Sequence, residues 1–217
     1  MICSLLASAG CGGHGHGGHG AHDATVHHRF ENPEKWGERF DAPERDAWQQ
    51  PDVVIDALKI QPGQFVADIG AGTGYFTVRI SPVVGVDGRV LAVDVEPEMV
   101  EYIRTRAAKA GLKNVEPILT TPDTPGLGAD SVDLAFICDT WHHIDNRIDY
   151  LNQLRKTLRK GGKVAIVDFK EGKLPVGPPQ GHKLSRQAVI EEFTTAGWTL
   201  RKEIDVLAYQ YILVFEP

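Results

Sequence analysis

A short apolar run, Phe65 to Ile69, empties directly into glycines at 70, 72 and 74, and no other feature restricts the architecture of this chain as much. Glycine at that spacing lets the backbone turn sharply and approach a ligand with no side chain between them. The residues after Gly74 are helical in character, and a helix start offers unpaired N–H groups to whatever lies in front of it. Twenty residues after Gly74, Asp94 closes a second apolar run, where a carboxylate can accept both hydroxyls of a ribose. A G-x-G-x-x-G dinucleotide fingerprint would need glycine where Tyr75 stands, which disfavours a nicotinamide-dependent dehydrogenase.

Around this loop the chain alternates between helical and strand patterns. Glu44 to Ile60 puts Val53, Val54, Ala57, Leu58 and Ile60 largely on one helical face, ended by the turn Gln61-Pro62-Gly63. Tyr75 to Ile80 predicts a helix that Pro82 stops, and Val90 to Val93 a strand. Pro97 opens a helix covering Met99 to Ala110, and strands follow at Val115 to Leu119 and Asp133 to Cys138. A helix over Ile148 to Arg159 should stop at Gly161-Gly162, before a strand from Lys163 to Asp168. Ser185 caps a helix through Ala196, and strands near Leu200 to Val206 and Tyr209 to Phe215 finish the chain. Only a few residues separate those two, so they pair antiparallel. The class predicted is α/β, a mostly parallel sheet with helices on both faces, binding ligands at the carboxyl ends of its strands.

The balance of 23 Lys and Arg against 29 Asp and Glu, a net charge of −6, argues against a nucleic-acid partner. No run of about 18 apolar residues occurs, so no transmembrane helix is expected. Cys3, Cys11 and Cys138 make no disulfide framework.

Residues 1–29 are a different material. The apolar stretch Met1 to Ala9, followed by Gly10-Cys11, resembles a bacterial lipoprotein signal in which Cys11 would carry the lipid. It lacks a positive start, and Ser8 stands where a lipobox usually has Leu, so a frayed N-terminus is the alternative. His14, His16, His19 and His22, with His27 and His28, lie among glycines too dense for a packed core. Such imidazoles bind divalent metals on a mobile chain, and a plain flexible tail is the competing reading. Residues 30–217 then form the folded domain.

VADIGAGTGYFT, Val66 to Thr77, resembles motif I of the class I S-adenosylmethionine-dependent methyltransferases. The likeness continues through LAVDVEPEMV, SVDLAFICDTWHHI and LRKTLRKGGKVAIVDF, in order, and covers Val53 to Phe215. It implies a Rossmann-like, seven-stranded sheet with an antiparallel last strand. It places Asp68 and Gly70 near the methionine moiety, with Ala71, Gly72 and Gly74 in the loop under the cofactor. Asp94 would hold the ribose, with Val95 or Glu96 beside it. Thr121 stands where the family often has an adenine-binding Asp, and Asp123 follows two residues on, so the adenine contact falls to Thr121, Asp123 or backbone.

In the family the place of Asp139-Thr140-Trp141-His142-His143-Ile144 lies beside the transferable methyl group. His142 or His143 would serve as base if the acceptor must lose a proton, with Asp139 orienting it or touching acceptor or cofactor. The competing reading has a histidine packed under the cofactor as a hydrogen-bonded filler. Trp48-Gln49-Gln50, His182 and Tyr209-Gln210-Tyr211 are softer candidates for lid and acceptor contacts. A single cysteine in the domain, Cys138, argues against arsenite as acceptor, and no structural metal is expected there. The expected function is methyl transfer to a small molecule, leaving S-adenosylhomocysteine. The alternative is a non-catalytic cofactor- or metal-binding envelope protein on the same fold. Cofactor supply favours the cytoplasm, whereas a genuine signal would anchor the protein to a membrane.

Overall fold

The computed structural model describes residues 33–217; the lipid-signal reading of Cys11 and the metal reading of His14, His16, His19 and His22 fall outside them. Phe65–Ile69 (β1) is buried along nearly its whole length, and it lies inside the sheet with a parallel neighbour on either side. Those neighbours are Arg89–Asp94 (β2) and Val132–Cys138 (β4), with Val115–Leu119 (β3) outside β2. Leu158–Phe169 (β5) continues the parallel run beyond β4. Gln210–Glu216 (β7) then inserts antiparallel between β5 and Thr199–Ile204 (β6), giving the order β3-β2-β1-β4-β5-β7-β6. The short link from Ile204 to Gln210 leaves no room for a crossover helix, and this dictates the reversal.

Alternate residues of the strands feed two apolar layers, as the two-residue period of a strand requires. Val66, Phe136, Val167 and Ile212 face Pro51–Leu58 (α3) and Thr77–Val84 (α4) through Val54, Ile55, Ile80 and Val84. Ala67, Ile137, Ile166 and Leu213 face Arg147–Thr157 (α6) and Arg186–Thr195 (α7) through Leu151, Leu154, Val189 and Phe193. Pro97–Lys109 (α5) joins β2 to β3, and Ile103 packs in a smaller cluster with Ala71 and Ala92. Pro33–Phe40 (α1) and Pro43–Gln49 (α2) precede α3 and reach the carboxyl ends of the strands.

Three elements depart from the sequence pattern. The helix predicted from Glu44 to Ile60 is broken into α2 and α3 at Gln50, which is left-handed at φ 46°. Pro51 disfavours helical geometry in the residue before it and suits the first position of the next helix. Pro82 does not stop α4; the helix runs on to Val84 and ends at Gly85. The helix predicted to reach Arg159 ends at Thr157, because Leu158 already pairs with Val132, and a register slip lets Arg159 to Gly162 bulge from β5.

Candidate active site

The carboxyl ends of β1, β2, β4 and β5 open onto one cavity of about 1010 Å³. That is at the upper end for a ligand site, large enough for a nucleoside-sized molecule and a second reactant. Sequence order reverses between β1 and β4, so the connections leaving their carboxyl ends run to opposite sides and leave a crevice.

The β1 side is built from main chain. Gly70 and Ala71 both donate their N–H to the carbonyl of Val93, at 2.8 and 3.0 Å, which bends the loop across β2. Gly70 is left-handed at φ 71°, and a Cβ there would sit 2.3 Å from Oγ1 of Thr140, so only glycine fits between the two loops. Gly72 N–H donates to one oxygen of Asp94 at 2.7 Å, and Glu96 N–H to the other at 3.0 Å. Burial pushes the Asp94 carboxyl above its ordinary value, while these backbone donors pull it back. Thr77 Oγ1 donates to Asp68 at 2.6 Å. Burial, opposed by Thr77 and helped by the charge of Asp94, raises the Asp68 carboxyl to about 6.

Asp68, Gly70, Ala71, Asp94, Val95, Glu96 and Thr121 line the cavity. Gly72 and Gly74 are not on its wall; Gly72 supports Asp94, and Gly74 lies close against Ile103. Asp123 is exposed and off the wall, its carbonyl accepting from Nε2 of Gln153, whereas Thr120, Pro122 and Thr124 join Thr121 there.

The β4–β5 side is built from side chains that meet across the fold. Asp139 holds a left-handed backbone at φ 54° and accepts from Nε2 of Gln210 at 2.6 Å. Gln210 in turn accepts from Nε2 of the fully buried Gln49 at 2.6 Å. Arg45 closes the set, donating to Gln49 and to the carbonyl of Phe40, lying 3.7 Å from Asp139 and stacking 3.9 Å from the centre of the Tyr75 ring. Burial raises the Asp139 carboxyl to about 6, against the pull of Arg45 and with a push from Asp168.

His142 and His143 lie in the turn Trp141–His143 and both line the cavity, their rings 4.2 Å apart. The carboxylate at the His142 ring belongs to Asp168, 2.9 Å from Nδ1, whereas Asp139 is bonded to Gln210. Burial lowers the His142 pKa, but Asp168 and then Asp139 outweigh it and leave it above the ordinary value. Trp48 and His182 also line the cavity. Tyr211 instead donates to the carbonyl of Leu184.

Asp168 and Arg45 are the site residues that the sequence pattern does not single out. Asp168 carried the same signal as Asp94, a carboxylate at the end of an apolar parallel strand, while Arg45 carried none. Among the described residues no group of three or more His, Cys, Asp and Glu side chains is placed to hold a metal ion. No helix among them is long and apolar enough to cross a membrane.

Residues 66–162 match a family model described as a methyltransferase domain. The chain is 30% identical over 140 residues to aklanonic acid methyltransferase DauC of Streptomyces sp. strain C5, a match covering 64% of each. It is 28% identical over 123 residues to the ubiquinone/menaquinone biosynthesis C-methyltransferase UbiE of Hydrogenovibrio crunogenus, covering 56% of this chain and 48% of that one. The chain thus spans between about half and just under two thirds of these relatives' length. A crystal structure of a SAM-dependent methyltransferase from Aquifex aeolicus superposes with a TM-score of 0.80 at 29% identity, over 85% of this chain and 97% of that one.

Proposed function

Since the chain belongs to the class I S-adenosylmethionine-dependent methyltransferases, we propose that it transfers a methyl group from S-adenosylmethionine to a small-molecule acceptor. The observation that carries this reading is the cradle in which Gly72 N–H grips Asp94 while Asp68 and Gly70 lie beside it on the same wall. Its chemistry fits the donor: bare backbone for close approach, one carboxylate for ribose hydroxyls, and a second for the cationic amino group of the methionine end. When bound, the sulfonium supplies an electrophilic methyl group. The chain's own task is then to hold the acceptor in line and keep water out.

Trp36, Phe40 and Trp48, on α1 and α2, line the cavity with apolar rings and support the exclusion of water. Net negative charge supports a small molecule over nucleic acid as acceptor. The supply of S-adenosylmethionine supports action in the cytoplasm.

Calorimetric titration of the full chain tests the reading. Micromolar binding of S-adenosylmethionine and S-adenosylhomocysteine is expected, with no heat from NAD. Asp94→Asn should weaken both by about 10- to 100-fold, the worth of hydrogen bonds to a charged group, with little change in melting temperature. A folded sample that binds neither ligand would overturn the proposal.

A further inference from the structure

His142 presents an imidazole whose two nitrogens have different surroundings. Nδ1 lies 3.0 and 2.9 Å from the two oxygens of Asp168, which is fully buried and also accepts the N–H of Phe169 at 2.8 Å. A carboxylate so placed keeps the proton on Nδ1 and leaves a lone pair on Nε2. Among the described residues Nε2 has no hydrogen-bond partner, and His142 is part of the cavity wall. The other groups around the ring are Asp139, Arg147 and His143.

The neighbouring wall carries aromatic and apolar side chains. Phe169 follows Asp168 directly, its ring 5.6 Å from that of Trp48, and Pro175, Val176 and Pro178 face the same space. Arg45 is the single Lys or Arg side chain on the wall among the described residues, and it is engaged by Phe40, Gln49 and Asp139. Among the described residues, then, the wall offers an anionic acceptor no unengaged Lys or Arg. An ammonium group would have to shed its proton before entering, whereas a hydroxyl arrives neutral and loses its proton on attack.

We propose that His142, held by Asp168, is the base that takes the proton of a phenolic or enolic hydroxyl carried on a flat, apolar acceptor. This rests on the methyltransferase reading above. The acceptor oxygen bonds to the methyl carbon as the carbon–sulfur bond breaks and its electron pair returns to sulfur. The hydroxyl proton passes to Nε2, and Asp168 balances the imidazolium until that proton leaves to water. Asp168 is a positioning residue, acting through His142.

Three naphthalenes that differ only in the reactive group test this: 2-naphthol, 2-(aminomethyl)naphthalene and 2-naphthoic acid. In the full chain loaded with S-adenosylhomocysteine, absorbance should show bound 2-naphthol ionising about one pH unit or more below the free compound. With labelled S-adenosylmethionine, label should enter the naphthol and neither of the others. His142→Gln should lower that rate by about 100-fold or more. Asp168→Asn should move the acid limb of the pH–rate profile to lower pH, a change that loose packing alone would not produce. Label in the amine or the acid would overturn the proposal, as would an unchanged rate and pH profile in both variants. Failure of 2-naphthol to bind or ionise while S-adenosylhomocysteine binds overturns this assignment and leaves the methyltransferase reading standing. Failure to bind S-adenosylhomocysteine overturns that reading itself. The ionisation measurement uses the unaltered chain, so it stands if a variant does not fold.

Discussion

The two ends of the cavity are made of different material. At the β1–β2 end most of the polar groups are held by peptide N–H donors, from Gly70 and Ala71 to Val93 and from Gly72 and Glu96 to Asp94, with the Thr77 hydroxyl on Asp68 as the exception. At the β4–β5 end they are held by other side chains, Gln210 on Asp139, Gln49 on Gln210 and Asp168 on His142. Main chain has few ways to move and its donors are the same in every sequence, so the first end is a fixed cradle. Side chains can be exchanged without rebuilding a loop, so the second end is set by which residues meet there rather than by the course of the main chain.

Three experiments would break or sharpen the contrast. The largest effect is expected at Gly70→Ala, where a Cβ would meet Thr140 at 2.3 Å in a left-handed backbone. Chemical denaturation should show a loss of about 3 kcal/mol or more, since the left-handed turn strains any Cβ and the Thr140 side chain fills its place. A loss below about 1 kcal/mol would show that the cradle is pliable. Next, Gln210→Leu strips hydrogen bonds from both Gln49 and Asp139 and should cost about 1–3 kcal/mol of stability. Affinity for S-adenosylhomocysteine should stay within about threefold, and a drop beyond tenfold would show that the two ends act as one.

The smallest effect concerns protons. Asp68 is raised by burial to about 6, so below that pH the unliganded cradle holds a neutral acid. If the methionine ammonium pairs with the ionised form, binding must expel that proton. Affinity should then rise by up to about tenfold per pH unit below about 6 and level off above it. Calorimetry in buffers of different ionisation enthalpy would detect the released proton near pH 5, and a flat profile from pH 5 to 7 would separate Asp68 from the ligand.

The same division explains what could be read before any coordinates. Gly70, Gly72, Gly74 and Asp94 act within one strand–turn–helix unit and its neighbour, and local spacing displays them. The α/β class and mostly parallel sheet follow from apolar runs alternating with helices, except at the element boundaries. Gln50, Pro82 and Leu158 depart from pattern because proline tolerance and a bulge depend on what packs nearby. Arg45, Gln49 and Gln210 form a set whose members stand at opposite ends of the sequence, and no periodicity links positions 161 residues apart. Asp168 was visible as a strand-terminal carboxylate, yet its tie to His142 exists only because β4 and β5 are neighbours.

The bond between Gln49 and Gln210 also sets a timetable for biosynthesis. The ribosome delivers α2 well before β7, so Gln49 lacks its partner across the fold until residues 210–216 have emerged. The nascent domain can assemble its β1–β2 cradle long before it gains the cover above Asp139. During that interval Trp48 and Phe169 lack the finished roof around them, which makes this interval the time when a chaperone has most to shield.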